Sequence, residues 1–252
     1  MPEKPESEGP GLRSSGLAGL GSGGSAFLIW GFSPLFWKLL KGVPAFETTM
    51  HRVVWSFLFL VPLLVFQHAW KDLLPTLKNR RLIPALLLSA CLVSLNWLVY
   101  IWAINNDLVL QASLGYYINP LVNVLLGVCI LRERLRAAQI AAVVLAAAGV
   151  IYLALQYGRF PWVALSLAFS FGLYGLIRKI SPVGALVGLS VETLLLSMPA
   201  LGYLIWLEYT GRGTFGHHGP IVDLYLVGTA LVTALPLLLF TRGARRLKLS
   251  TM

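Results

Sequence analysis

The chain has 252 residues and a mass of 27.6 kDa; 57% of it is Ala, Val, Ile, Leu, Met, Phe, Trp, Tyr or Cys, and only 12% is charged. That is about half the charged share of a soluble domain, too little to cover a globule this size, so an ordinary soluble enzyme, a disordered chain and a disulfide scaffold are excluded. The net charge of +10 is spread in short clusters between apolar runs, the pattern of loops on a multi-span membrane protein and not of a nucleic-acid-binding patch.

Residues 1–19 form a Pro-, Gly-, Ser- and Glu-rich tail, expected to be mobile and to merge into the first helix. The tail is no secretory signal, because its head is acidic as well as basic and the apolar run after it continues into further segments. The Gly-Leu-Gly-Ser-Gly-Gly stretch at 19–24 lacks the Gly-Lys-Ser/Thr ending of a phosphate loop and reads as a linker. A membrane-crossing helix needs about 20 mostly apolar residues. Eight runs qualify: about 20–40, 48–67, 83–104, 108–131, 137–156, 161–179, 184–207 and 221–241. The turns between them carry Gly42-Val43-Pro44, Asn105-Asn106-Asp107, Gly158 to Pro161, and Gly211 to Pro220. No alternating strand pattern is present, so the fold class is an all-α membrane bundle of about eight helices, every backbone group paired within its own helix.

With the N-terminus inside, the inner loops hold fifteen Lys and Arg against five outside, which predicts cytoplasmic N- and C-termini. Gly31 and Lys38 recur at an offset of 141 as Gly172 and Lys179; Glu47 recurs at 145 as Glu192. Tyr100–Ala103 faces Phe240–Ala244, and Leu108–Ser113 faces Leu247–Met252. Five spans separate equivalent points, so the second copy enters the membrane from the opposite side, as an inverted repeat. Residues 20–156 are read as one five-helix repeat and 157–252 as a second copy with only three helices, an incomplete or truncated unit.

The set Trp30-Gly-Phe-Ser-Pro-Leu-Phe-Trp-Lys38, Glu47 with His51-Arg52, Asn96-Trp97 with Tyr100-Ile-Trp-Ala103, and Leu114-Gly-Tyr-Tyr-Ile-Asn-Pro-Leu-Val-Asn123 resembles the RarD group of the EamA branch of the drug/metabolite transporter superfamily. So do Phe169–Lys179, Glu192-Thr193 and Thr233–Phe240. The resemblance implies ten helices in two inverted repeats, a central substrate path, cytoplasmic ends, a bacterial inner-membrane location and a chloramphenicol-related permease label. This chain departs from it by lacking the last two helices.

Glu47 and His51 are four apart and share a helix face, with Arg52 beside them. They read either as a proton or anion site or as an interfacial ion pair anchoring the helix end. Glu192 stands among Leu and Val with no basic residue three or four positions away, so it should find a partner on another helix; proton coupling and a structural polar contact both remain open. Asn96 and Tyr100 share a face of the third span. Tyr116, Pro120, Asn123 and Gly127 form a stripe on the fourth, with Tyr117 and Asn119 beside it. Such a stripe faces a cavity or a neighbouring helix, as substrate contacts or as polar glue. The Ala-rich fifth span suits a scaffold, contacts with a second subunit included. Cys91 and Cys129 are expected to pack as small apolar groups. His217-His218 lacks the support a metal site needs, and neither a metal nor a cofactor is expected.

These features point to a secondary transporter of a small organic solute, driven by solute or ion gradients because no nucleotide-binding motif is present. The alternatives are a fragment that is inert or needs a partner, and a membrane enzyme acting on lipid substrates. The lipid bilayer and an unidentified solute are the expected partners, with no nucleic acid.

Overall fold

A computed structural model describes residues 10–246, with side chains described from Gly19 to Arg245. The first nine residues of the expected tail, and the Leu247–Met252 half of one repeat match, lie outside the described residues. The described chain is all helical: α1 Pro10–Leu39, α2 Ala45–Phe66, α3 Trp70–Lys78, α4 Ile83–Asn105, α5 Val109–Cys129, α6 Ala137–Tyr157, α7 Trp162–Ile180, α8 Ala185–Tyr209 and α9 Pro220–Arg246. Seven of these, α2 and α4 to α9, are long and apolar enough to cross a membrane. They match seven of the eight expected spans within a few residues.

The eighth expected span, 20–40, lies within α1, which is 30 residues long but diluted in apolar content by Gly and Ser. Those residues also overturn the linker reading of 19–24. They are helical, and Gly19 and Gly23, one turn apart, are buried where α1 meets α9. A Cβ added at Gly243 of α9 would stand 3.1 Å from the Gly19 carbonyl oxygen and 3.2 Å from the Gly23 nitrogen. Glycine lowers helix propensity in water, but in a bundle it lets two backbones touch, and that close approach is what holds helices together in lipid. The helix α3, absent from the expected elements, is too short to span. It tucks Leu73 inward against α8 and leaves Trp70, Leu74 and its lysines outward, as a helix lying at the interface does.

Turns 40–44, 105–108, 158–161 and 210–219 gather at one end of the bundle. Lys41 pairs with Asp107 at 2.7 Å, Asn105 donates to the Val43 carbonyl, and Gln111 donates to the Tyr157 hydroxyl. Gly158, at φ +68°, closes α6 in the left-handed conformation that glycine adopts without strain. At the other end Arg245 donates to the Val183 carbonyl and Lys179 to that of Ala244.

Inside, α1 packs on α9, α4 on α7, α2 on both α8 and α9, and α5 on α7. The core is apolar and aromatic: Leu60, Leu64, Leu86, Tyr174 and Phe240 near one end, Trp37, Leu40, Ile101 and Leu226 near the other. The outside is apolar too. Leu28, Phe32, Phe66, Leu110, Leu145, Leu155, Met198 and Ile205 all stand exposed, far more than a soluble surface carries, and lipid is the environment that accepts them. Cys91 and Cys129 lie on this outer surface and not in the core, because a thiol needs no burial when its surroundings are hydrocarbon. The helix α6 has no buried residue and rests mainly on α5.

Replacing Gly243 by Leu should push α1 off α9 and destabilise the bundle by about 1–3 kcal/mol. Gly202, exposed with nothing within 4 Å of an added Cβ, should accept Leu without effect. Thermal unfolding of both variants in the same detergent is the check.

Candidate functional site

Six helices enclose a central cavity. Its lining is Phe27, Trp30, Ser33 and Trp37 of α1, Arg52 of α2, Asn96, Trp97 and Tyr100 of α4, Ala112, Gly115, Tyr116 and Asn119 of α5, Leu167 and Phe171 of α7, and Val232 of α9. About 50 Å³ is open to the centres of water-sized bodies. That is room for a few waters, since one needs about 10–15 Å³ on this measure. A larger solute must part the helices.

Arg52 is the one charged residue of the lining, and its position follows from helix geometry. Starting at Ala45, α2 places Glu47 and His51 on one face and turns Arg52 about 140° away from Glu47. The three residues therefore separate. Glu47 accepts the Thr214 backbone N–H at 2.6 Å and the Thr214 hydroxyl at 2.9 Å, clamping the 210–219 loop onto the helix start. His51 lies 3.9 Å from Glu47 and stacks on Phe215, ring centroids 5.4 Å apart. Arg52 points into the bundle. Its guanidinium lies between the rings of Trp37 and Trp97, at 4.6 and 4.2 Å from their centroids, and its Nε donates to the Thr233 hydroxyl at 2.6 Å. Each desolvated cation–π contact is worth about 2 kcal/mol. Arg52 Nη1 is buried with no hydrogen-bond partner.

Asn96 and Tyr100 both reach the cavity, as their shared face predicts. Asn96 also donates to the Leu167 carbonyl at 2.9 Å and to Ser170 at 3.0 Å, so it ties α4 to α7. Of the stripe expected on α5, Asn123 and Gly127 are buried and Tyr116 lines the cavity, whereas Pro120 is exposed and the helix continues through it; Gly115, Asn119, Val122 and Leu126 are buried beside them. Asn119 lines the cavity and donates to the Ala168 carbonyl; Asn123, a turn further, donates to Asn119 within the α5–α7 contact. Tyr116 packs edge-on to Tyr100 at 6.0 Å. Tyr117 points outward and is 64% exposed, apart from the others.

Toward the far end the cavity closes on an aromatic floor, where Phe171 packs on Phe240 at 4.7 Å and on Trp30 at 5.2 Å. Beyond it lies Glu192, fully buried. Its Oε1 accepts from Ser89 at 2.5 Å and meets Arg178 Nε at 3.5 Å. Arg178 is 0% exposed and donates to the Gly184 carbonyl, so the last turn of α7, the start of α8 and α4 are tied at one point. The partner expected for Glu192 on another helix is present, and Arg178, counted among the loop charges that set orientation, is in fact a core residue. Arg52 left the outer count in the same way, and the bias survives without both. Ser89 precedes Asn96 on α4 by seven residues, placing this ion pair about 10 Å along the axis from the cavity's polar ring.

The sequence reading passed over Trp37, Trp97 and Thr233 as site residues. Tryptophans at helix positions that face a buried arginine are the signal that would have found the first two. Thr233, in an apolar run, carries none. Among the described residues no group of three His, Cys, Asp or Glu is placed to hold a metal. His217 pairs with Glu208 at 2.7 Å.

A bundle of apolar helices around a polar, aromatic cavity with one buried cation is the layout of a solute carrier. The EamA-like transporter family matches residues 18–155. The chain is 48% identical over 227 residues to "Uncharacterized transporter YojE" of Bacillus subtilis, covering 89% of this chain and 76% of that protein. It is 47% identical over 234 residues to "Protein RarD" of Streptomyces exfoliatus, covering 93% of this chain and 74% of that one. "Chloramphenicol-sensitive protein RarD" of Pseudomonas aeruginosa is 35% identical over 178 residues, 69% of this chain and 60% of the relative. No solved structure matches. The chain belongs to the EamA-like transporter family. It is a RarD-type, multi-pass membrane transporter of the drug/metabolite class, not an enzyme.

Removing one partner of the buried Glu192–Arg178 pair strands the other. Glu192→Leu and Arg178→Met should each destabilise by about 3–5 kcal/mol, and the two together by much less. Unfolding free energies in mixed micelles, closed into a double-mutant cycle, read the coupling.

Proposed function

We propose that the chain carries a small organic solute across the bacterial inner membrane through the Arg52 cavity, without ATP, by alternating access between two inverted halves. The carrying observation is the cavity itself, closed at one end by the aromatic floor and the Glu192–Arg178 pair, and bounded at the other by Tyr100, Tyr116 and the Trp37–Arg52–Trp97 stack. Helix packing supports the inverted halves. A two-fold exchanging α1 with α7, α2 with α8 and α4 with α9 turns the α1–α9 contact into α4–α7, α2–α9 into α4–α8, and α2–α4 into α8–α9, and every one of these pairs is in contact. Opening one end and closing the other is then a rocking of the same contacts in two senses. The charge bias supports cytoplasmic termini.

Glu192 deepens the reading as a lock on the cytoplasmic side: Ser89, Arg178 and Glu192 come from three helices that must separate when the floor opens. Its Oε2 has no hydrogen-bond partner, so a proton or a rearranged arginine can change the lock without a new side chain.

The test is uptake into proteoliposomes of the chain, free of nucleotide, with a panel of labelled small organic solutes. Chloramphenicol belongs in the panel because a Pseudomonas relative carries it in its name. Saturable uptake of at least one solute is expected, falling about thirtyfold in Trp97→Ala as a contact worth about 2 kcal/mol is lost. Permeation equal to protein-free vesicles for the whole panel contradicts the proposal. Reporter fusions after residues 75 and 160 test orientation, with a cytoplasmic signal expected at 75 and a periplasmic one at 160.

A further inference from the structure

We infer that the solute bound in this cavity is an organic anion, held through the unoccupied edge of the Arg52 guanidinium; the inference rests on the transport reading above. The bundle contains two buried guanidiniums, and it treats them differently. Arg178 is given a carboxylate, Glu192, at 3.5 Å. Arg52 is given none: among the described residues no acidic side chain pairs with it, and the cavity lining contains no Asp or Glu. Glu47, the nearest carboxylate along the helix, is directed to Thr214 instead.

What surrounds Arg52 leaves one direction open. Trp37 and Trp97 lie against its guanidinium, and Thr233 takes Nε. The remaining edge carries Nη1, which has no partner although the residue is only 5% exposed. Carboxylates bind arginine in the plane of the guanidinium, through paired N–H bonds. The Tyr100 hydroxyl lies on the same wall, beside Tyr116. A charged donor without an acceptor, inside a medium that penalises a lone charge, defines a place for an acceptor that carries the opposite charge. The rest of such a solute has Phe27, Trp30 and Phe171 to lie against, so an aromatic or otherwise apolar body is accommodated and a bare inorganic ion gains nothing from that half.

The experiment uses the full chain in lipid nanodiscs and three probes of one shape: benzoate, benzamide and benzylammonium. Tryptophan fluorescence reports binding, since Trp37 and Trp97 flank the bound head group. Benzoate is expected to bind at least about tenfold more tightly than benzamide, as a hydrogen bond to a charged group predicts, and benzylammonium most weakly. Arg52→Gln should erase the preference of acid over amide, and Arg52→Lys should keep part of it. Equal affinity for acid and amide in the unaltered chain, or an acid preference that survives Arg52→Gln, overturns the inference and leaves the cavity as a transport path. Binding of none of the three overturns the cavity reading and this inference together. The charge series on the unaltered chain decides the matter even where a variant fails to fold.

Discussion

A charge in a lipid-embedded bundle has no water to return to, and the placing of two arginines inside this one sets the terms for much else in it. Insertion scales put such a group at about 2.5–3.5 kcal/mol, so each must be answered by the protein. The bundle answers Arg178 with a carboxylate, Glu192, and the Gly184 carbonyl, though its Nε and Nη1 make no hydrogen bond, and the result ties three helices together at one end. It answers Arg52 without a carboxylate, with two indoles and a threonine hydroxyl, at the wall of a cavity. One arginine joins helices and the other lines the cavity.

The helices around that path are held by contact and not by hydrophobic force, because lipid tails are as apolar as leucine. That is why Gly19 and Gly23 face Gly243 and why Gly115 faces Ala164, where an added Cβ would stand 3.1 Å from a carbonyl oxygen. Asparagines do the same work with hydrogen bonds: Asn96 and Asn119 each reach a carbonyl of α7, one from α4 and one from α5. A carrier needs such joints to be firm in the frame and few across the surfaces that slide. The aromatic floor of Trp30, Phe171 and Phe240 is held by ring packing.

Much of this was legible in the sequence. Span positions follow from apolar run length, and turns from Gly, Pro and Asn; both are local properties. Asn96 with Tyr100, and Glu192 with a partner on another helix, follow from helix periodicity and from the cost of a lone carboxylate. The misreadings have a common cause. In water the apolar side of a helix is its buried side; in lipid both sides are apolar, and the pattern that would orient a helix is nearly erased. Tyr117 faces outward, Cys91 and Cys129 are at the surface, and Pro120 of the α5 stripe is exposed, all for this reason. The Glu47–His51–Arg52 cluster looked like one site because the residues are close along the chain, and helix geometry divides it between an outer clamp and the cavity. Arg178 looked like a loop charge because it ends an apolar run, and only a contact across helices moves it indoors.

The path through the bundle is most directly tested at Ser33, which lines the cavity and is 5% exposed. In a chain with Cys91 and Cys129 replaced by alanine, Ser33→Cys is treated with a small membrane-impermeant thiol reagent in right-side-out and in inverted vesicles. Leu28→Cys, on the lipid-facing side of the same helix, is the control, since a thiol in hydrocarbon does not ionise and stays inert. A carrier that opens alternately to each side gives labelling at residue 33 in both vesicle orientations and none at residue 28. Labelling at residue 33 from one side alone, or from neither, contradicts it.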